Sequence, residues 1–70
     1  MIRYKVEYKD HFPYTGKLHT FIYDDYGEAI KHYITLKNNL TTISATIQKV
    51  LWNPVINGYT DVIELIGSYS

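Results

Sequence analysis

Ile2-Arg3-Tyr4-Lys5-Val6-Glu7-Tyr8-Lys9 alternates apolar and charged residues without a break. Successive side chains of a β-strand point to opposite faces. A period of two therefore predicts a strand with Ile2, Tyr4, Val6 and Tyr8 on a buried face and Arg3, Lys5, Glu7 and Lys9 on the other. Downstream, Asp10 to Gly16 holds Pro13 and Gly16 around Phe12 and Tyr14, and reads as a loop between antiparallel neighbours. Lys17 to Tyr23 follows as a second strand. Its apolar residues Leu18, Phe21, Ile22 and Tyr23 do not alternate cleanly, a pattern that leaves its register open and allows a bulge.

Asp25-Tyr26-Gly27-Glu28 has the form of a capping box, with Asp25 accepting from the first helical amides and Glu28 reaching back. Tyr26, Ala29, Ile30, Tyr33, Leu36 and Leu40 then recur at three- and four-residue steps, which predicts a helix of about fourteen residues. Glu28, Lys31, His32, Thr35 and Lys37 fill its polar side. Lys37 suits the negative end of the helix dipole, and Asn38-Asn39 suits a left-handed cap.

From Thr41 to Trp52 the chain is rich in β-branched residues, and Ile43, Ala45 and Ile47 alternate with polar neighbours. Val50 and Trp52 then occupy the opposite parity, which predicts a bulge or pronounced bend around Gln48 to Lys49. Asn57-Gly58 is a two-residue hairpin signal, because both residues tolerate positive φ. Pairing across such a turn sets Val50 opposite Leu65 and Trp52 opposite Ile63. Pro54 has no amide to give a ladder, so the arm before the turn is expected to be irregular or at an edge.

These elements compose an α+β domain in the order β-β-α-β-β: a four-stranded, mostly antiparallel sheet with one helix packed on one face, all within residues 1–70. One helix covers one face. The other is left to solvent, to a second copy, or to a partner.

Composition narrows the task. Without cysteine there is neither a disulfide framework nor a thiolate zinc site, so a reducing cytoplasm is the expected setting. Seven Lys+Arg balance seven Asp+Glu, which removes the overall field that drives most binding to phosphate backbones. Apolar runs are too short to span a bilayer and the start of the chain opens directly into alternation, so neither a membrane partner nor a signal peptide is expected. His11, His19 and His32 fall in a loop, a strand and the helix, without the i, i+4 spacing of a paired metal site, and no metal or other cofactor is expected. Asp24, Asp25 and Glu28 are accounted for by helix capping, and Asp61 and Glu64 lie on opposite parities of the last strand.

Eight tyrosines remain to be explained. Tyr4, Tyr8, Tyr26 and Tyr33 fall on inward positions, and Trp52 is assigned to the core. Phe12, Tyr14, Tyr59 and Tyr69 sit in turns or near ends and form the candidate surface for a protein partner, because aromatic rings concentrate at binding hot spots. Arg3, Lys5 and Lys9 beside tyrosines offer an alternative grip for single-stranded nucleic acid.

The segments Ile2-Arg3-Tyr4-Lys5-Val6-Glu7-Tyr8 and Phe21-Ile22-Tyr23-Asp24-Asp25-Tyr26-Gly27-Glu28-Ala29-Ile30 give the chain a layout that resembles small bacteriophage proteins, in which two strands lead into an acidic-capped helix and a closing strand or hairpin. The strand-strand-helix-strand portion is also similar to a coliphage inhibitor of host RNA polymerase. This resemblance implies a stoichiometric, non-catalytic inhibitor of a host protein complex, whether transcription or replication machinery or a defence system, as anti-CRISPR proteins are. A homodimer through the uncovered face or a strand edge is a further expectation.

Overall fold

The computed structural model describes residues 1–10 and 17–70. The expected loop with Phe12 and Tyr14 lies outside the described residues, as does His11. The elements are β1 (Ile2–Asp10), β2 (Lys17–Tyr23), α1 (Tyr26–Lys37), β3 (Thr42–Asn53) and β4 (Gly58–Tyr69). The strands form one antiparallel sheet in the order β2-β1-β3-β4, with α1 on one face. This is the α+β architecture that the alternation in β1 and the stripe in α1 predict.

The core lies between α1 and the middle of the sheet. Ala29, Tyr33 and Leu36 meet Val6, Ala45 and Ile47, and Tyr4, Tyr8, Tyr23, Ile30, Ile66 and Tyr69 close its margins. Val6 and Ile47 are wholly buried, worth about 1.5–3 kcal/mol each against leaving them in water. Gly67 lies close beside them: a Cβ there would stand 3.1 Å from the Tyr33 ring, which would have to shift by a few tenths of an ångström.

Asp25 caps α1 from an extended conformation, its carboxylate accepting from the Gly27 N–H at 3.3 Å. Glu28 stays a first-turn acid; among the described residues no bond returns from it to the cap. The helix has twelve residues, shorter than the stripe suggested. It ends where the Asn38 N–H donates to the Ile34 carbonyl at 3.1 Å, with Asn38 at φ −92° rather than in the left-handed region. Leu40 falls beyond that end and is fully exposed, so it is no part of the apolar stripe. Tyr26, expected inward, is largely exposed and meets the Tyr4 ring edge-on, with centroids 5.4 Å apart.

No bulge interrupts β2 against β1. β2 pairs with β1 in unbroken register from Tyr4 opposite Tyr23 to Asp10 opposite Lys17. The β3–β4 ladder is irregular where expected, with register shifts between Ile47 and Gln48 and between Lys49 and Val50, whereas β3 runs in regular register against β1 through these residues. Thr60, Ile63 and Ile66 are each skipped in the β3–β4 pairing, so β4 carries the surplus residues. The changed parity of β3 has another cause: Ala45 and Ile47 face α1, whereas Val50 and Trp52 lie on the opposite side of the sheet.

The hairpin register also differs from the two-residue expectation. Pro54 to Asn57 form a four-residue connection in which the Asn57 N–H donates to the Pro54 carbonyl at 3.3 Å and the Asn53 side chain accepts from the Val55 N–H at 2.9 Å. Asn57 does take positive φ, at 51°. Val50 thus opposes Val62 and Trp52 opposes Tyr59, in place of Leu65 and Ile63.

Candidate interaction surface

The side of the sheet away from α1 is set by the β1 register. Arg3, Lys5, Glu7 and Lys9 run down its middle, flanked by Leu18, Thr20 and Ile22 from β2 and by Ser44, Thr46, Gln48, Val50 and Trp52 from β3. The surplus residues of β4 bring Tyr59, Val62, Leu65 and Ser68, every third residue, to the same side. Leu18, Ile22, Tyr59, Val62 and Leu65 are exposed there. The predicted charged row thus lies on this open face, between two apolar margins.

Lys5 is the exception in that row, with only 5% of its surface exposed. Its ammonium donates to the Tyr59 hydroxyl at 3.0 Å, lies 4.2 Å from the centre of that ring, and stands 3.5 Å from a Glu7 oxygen. The second Glu7 oxygen accepts from the Thr20 hydroxyl at 3.2 Å. Tyr59 therefore leans from the edge strand across β3 to β1. Val50, wholly buried yet separate from the core under α1, lies in the sheet between these two strands on the same face. A cation held this way avoids the cost of an unpaired buried charge. It also fixes an aromatic ring on an otherwise flat surface.

Among the described residues, Tyr59 is the one predicted partner-binding aromatic on this face. Tyr69 lies opposite Ala45 on the helix side, where it packs against the core. Phe12 and Tyr14 belong to the undescribed segment. Trp52 is half-buried on the open face rather than in the core under α1. Arg3, Lys5 and Lys9 do share one face, but only Arg3 and Lys9 are without a carboxylate contact among the described residues. No family model, curated protein or solved structure matches the chain.

His19 and His32 lie together on the other side of the sheet. His19 stacks on Tyr8 with centroids 4.7 Å apart, and its Nε2 is 3.0 Å from an Asp10 oxygen, close enough for an ion pair when protonated but not aligned as a hydrogen bond. His32, expected on the polar side of α1, is instead half-buried. Its Nδ1 shares a 2.7 Å hydrogen bond with the Tyr23 hydroxyl, and Phe21 meets its ring edge-on at 5.0 Å. These contacts make a packed aromatic cluster, and among the described residues no group of three metal-ligating side chains assembles.

The Lys5–Tyr59 contact joins residues 54 positions apart and depends on strand order and on the surplus residues of β4, so no local pattern announces it. Leu18 and Leu65 were likewise missed as surface residues. The signal for Leu18 was present, since it shares the parity of Ile22 in β2.

Two measurements follow from these contacts. Tyr59→Phe removes the hydroxyl acceptor of a buried ammonium and is expected to lower unfolding stability in urea by about 1–3 kcal/mol. Lys5→Met, which removes the charge as well, is expected to cost less. Burial holds the His32 pKa below its ordinary 6.5, so the fold prefers the neutral imidazole and the unfolded chain takes up a proton first. Stability present above pH 6.5 should therefore fall as the pH drops below that value, and His32→Gln should flatten this acid limb in urea titrations. Burial, followed by the Asp10 carboxylate and Tyr23, raises the Tyr8 pKa above 10.0, which gives the opposite limb: stability lost as the pH rises past that value.

Proposed function

We propose that the chain is a small, non-catalytic, cytosolic binding protein of bacteriophage or mobile-element type that inhibits a host protein complex by occlusion. The observation that carries the binding role is the open face: a sheet surface with exposed Leu18, Ile22, Val62 and Leu65 around a Tyr59 ring already fixed by Lys5. A fixed aromatic anchor loses little freedom on binding, and exposed apolar side chains along both margins of the face add contact area for a partner. The molecule is a slab of 35 × 22 × 16 Å, whose broad side approaches the roughly 800 Å² that each partner contributes to a standard interface. Among the described residues no helix is long and apolar enough to cross a membrane. The inhibitory role and the host target are supported by the resemblance of the strand-strand-helix layout to phage inhibitors.

The alternative, a grip on single-stranded nucleic acid by Arg3, Lys5 and Lys9, is weakened because the Lys5 ammonium is already engaged by Tyr59 and Glu7. The test is affinity capture from nuclease-treated bacterial lysate with wild type, Leu18→Asp/Leu65→Asp and Ile34→Asp, the last on the exposed side of α1. The expected result is one host protein retained by wild type and Ile34→Asp and lost with the open-face variant. Equal retention by all three would remove the open face from the site.

A further inference from the structure

Resting on the reading of the open face as a protein-binding surface, we infer that its partner is an acidic protein segment that presents two carboxylates about 20 Å apart with apolar residues between them. The net charge of zero conceals a segregation. On the open face three cations, Arg3, Lys5 and Lys9, stand with one carboxylate, Glu7, which leaves a net of +2; the other four cations and six carboxylates of the chain leave −2 elsewhere. Glu7 is neutralised by Lys5 and bonded by Thr20, so it does not oppose an incoming anion at either end of the strand.

The two remaining cations mark the ends of the face. Six residues of strand separate Arg3 from Lys9, about 20 Å at the usual rise. At the Lys9 end the surface dips into a concavity of about 190 Å³ whose lining includes Glu7, Lys9, Leu18, Ser44 and Thr46. A carboxylate entering there finds the ammonium together with two hydroxyl donors, a charge-assisted arrangement. At the other end the Arg3 guanidinium spends one nitrogen on the Ile2 carbonyl at 3.3 Å and keeps its remaining donors for a carboxylate. Between them, Ile22, Tyr59, Val62 and Leu65 offer apolar contact. A cation at each end of a docking face disfavours basic partners as well as attracting acidic ones.

The test pans a displayed library of random 12-residue peptides against wild type, Arg3→Glu/Lys9→Glu, Arg3→Lys/Lys9→Arg and Leu65→Asp, with affinities of selected peptides read by fluorescence anisotropy. The expected outcome is enrichment of peptides with paired Asp or Glu around apolar residues, bound at least about tenfold more weakly by the charge-reversed variant and retained by the charge-preserving one. Acid-free peptides that bind wild type and are lost on Leu65→Asp would overturn the inference while leaving the protein-binding face in place. Enrichment that none of the variants alters, or no enrichment at all, would overturn both. Tight, steeply salt-dependent binding of a labelled 20-nucleotide oligothymidine would assign the cations to nucleic acid instead. Self-association of wild type in sedimentation velocity, abolished by the charge reversal, would make a second copy the occupant.

Discussion

A twelve-residue helix is about 18 Å long, whereas a regular strand of twelve residues, such as β3, extends about 35 Å. This mismatch governs the molecule. α1 can bury a core only on one side and only over the middle of the sheet, where Val6, Ala45 and Ile47 receive it. The rest of the sheet has to solve burial without a helix. On the open face Val50 is wholly buried between β1 and β4, and a tyrosine is drawn over from the edge strand to a buried lysine whose charge stays paired. The same contact that protects the sheet leaves Tyr59 in one orientation, so local stability and readiness to bind have a single source.

The edge strand has a second consequence. A long exposed edge is a template for pairing with other chains, and β4, with Val62, Ile63 and Leu65 exposed, is a case in point. Its three skipped residues break the regular spacing of backbone groups that such pairing requires. They also turn Tyr59, Val62 and Leu65 onto one side. The face rather than the edge thereby carries the side chains that the proposed binding role needs. Val55 and Ile56, exposed at the hairpin tip, extend the apolar surface beyond the end of the sheet.

Where local rules act alone, the sequence was legible. The alternation of β1, the Asp25 cap and the buried positions Ala29, Tyr33 and Leu36 all appear as the pattern requires. Leu40 kept the helical spacing, but the chain had already left the helix at Asn38, and spacing carries no information about where hydrogen bonding stops. His32 looked polar by residue type, yet an imidazole can pack its ring and still bond through one nitrogen, as it does with Tyr23. The parity change in β3 was real and its cause was misplaced: two apolar sets on one strand mean two buried sides as readily as a bulge. The hairpin register followed a four-residue turn and surplus residues in β4, neither of which the Asn57-Gly58 pair encodes. Of the candidate site, the charged row of β1 was legible in full, and the Lys5–Tyr59 contact was not, since it depends on which strand lies between them.

The central claim is that the chain acts through the face its helix leaves uncovered. Site-specific photocrosslinking in bacterial cells tests it most directly, with a benzophenone side chain placed in turn at positions 18, 62 and 65 of the open face and at positions 31 and 34 of α1. The account predicts adducts to one distinct protein from the first three positions and none from the helix; adducts from the helix positions alone, or from all five equally, would contradict it.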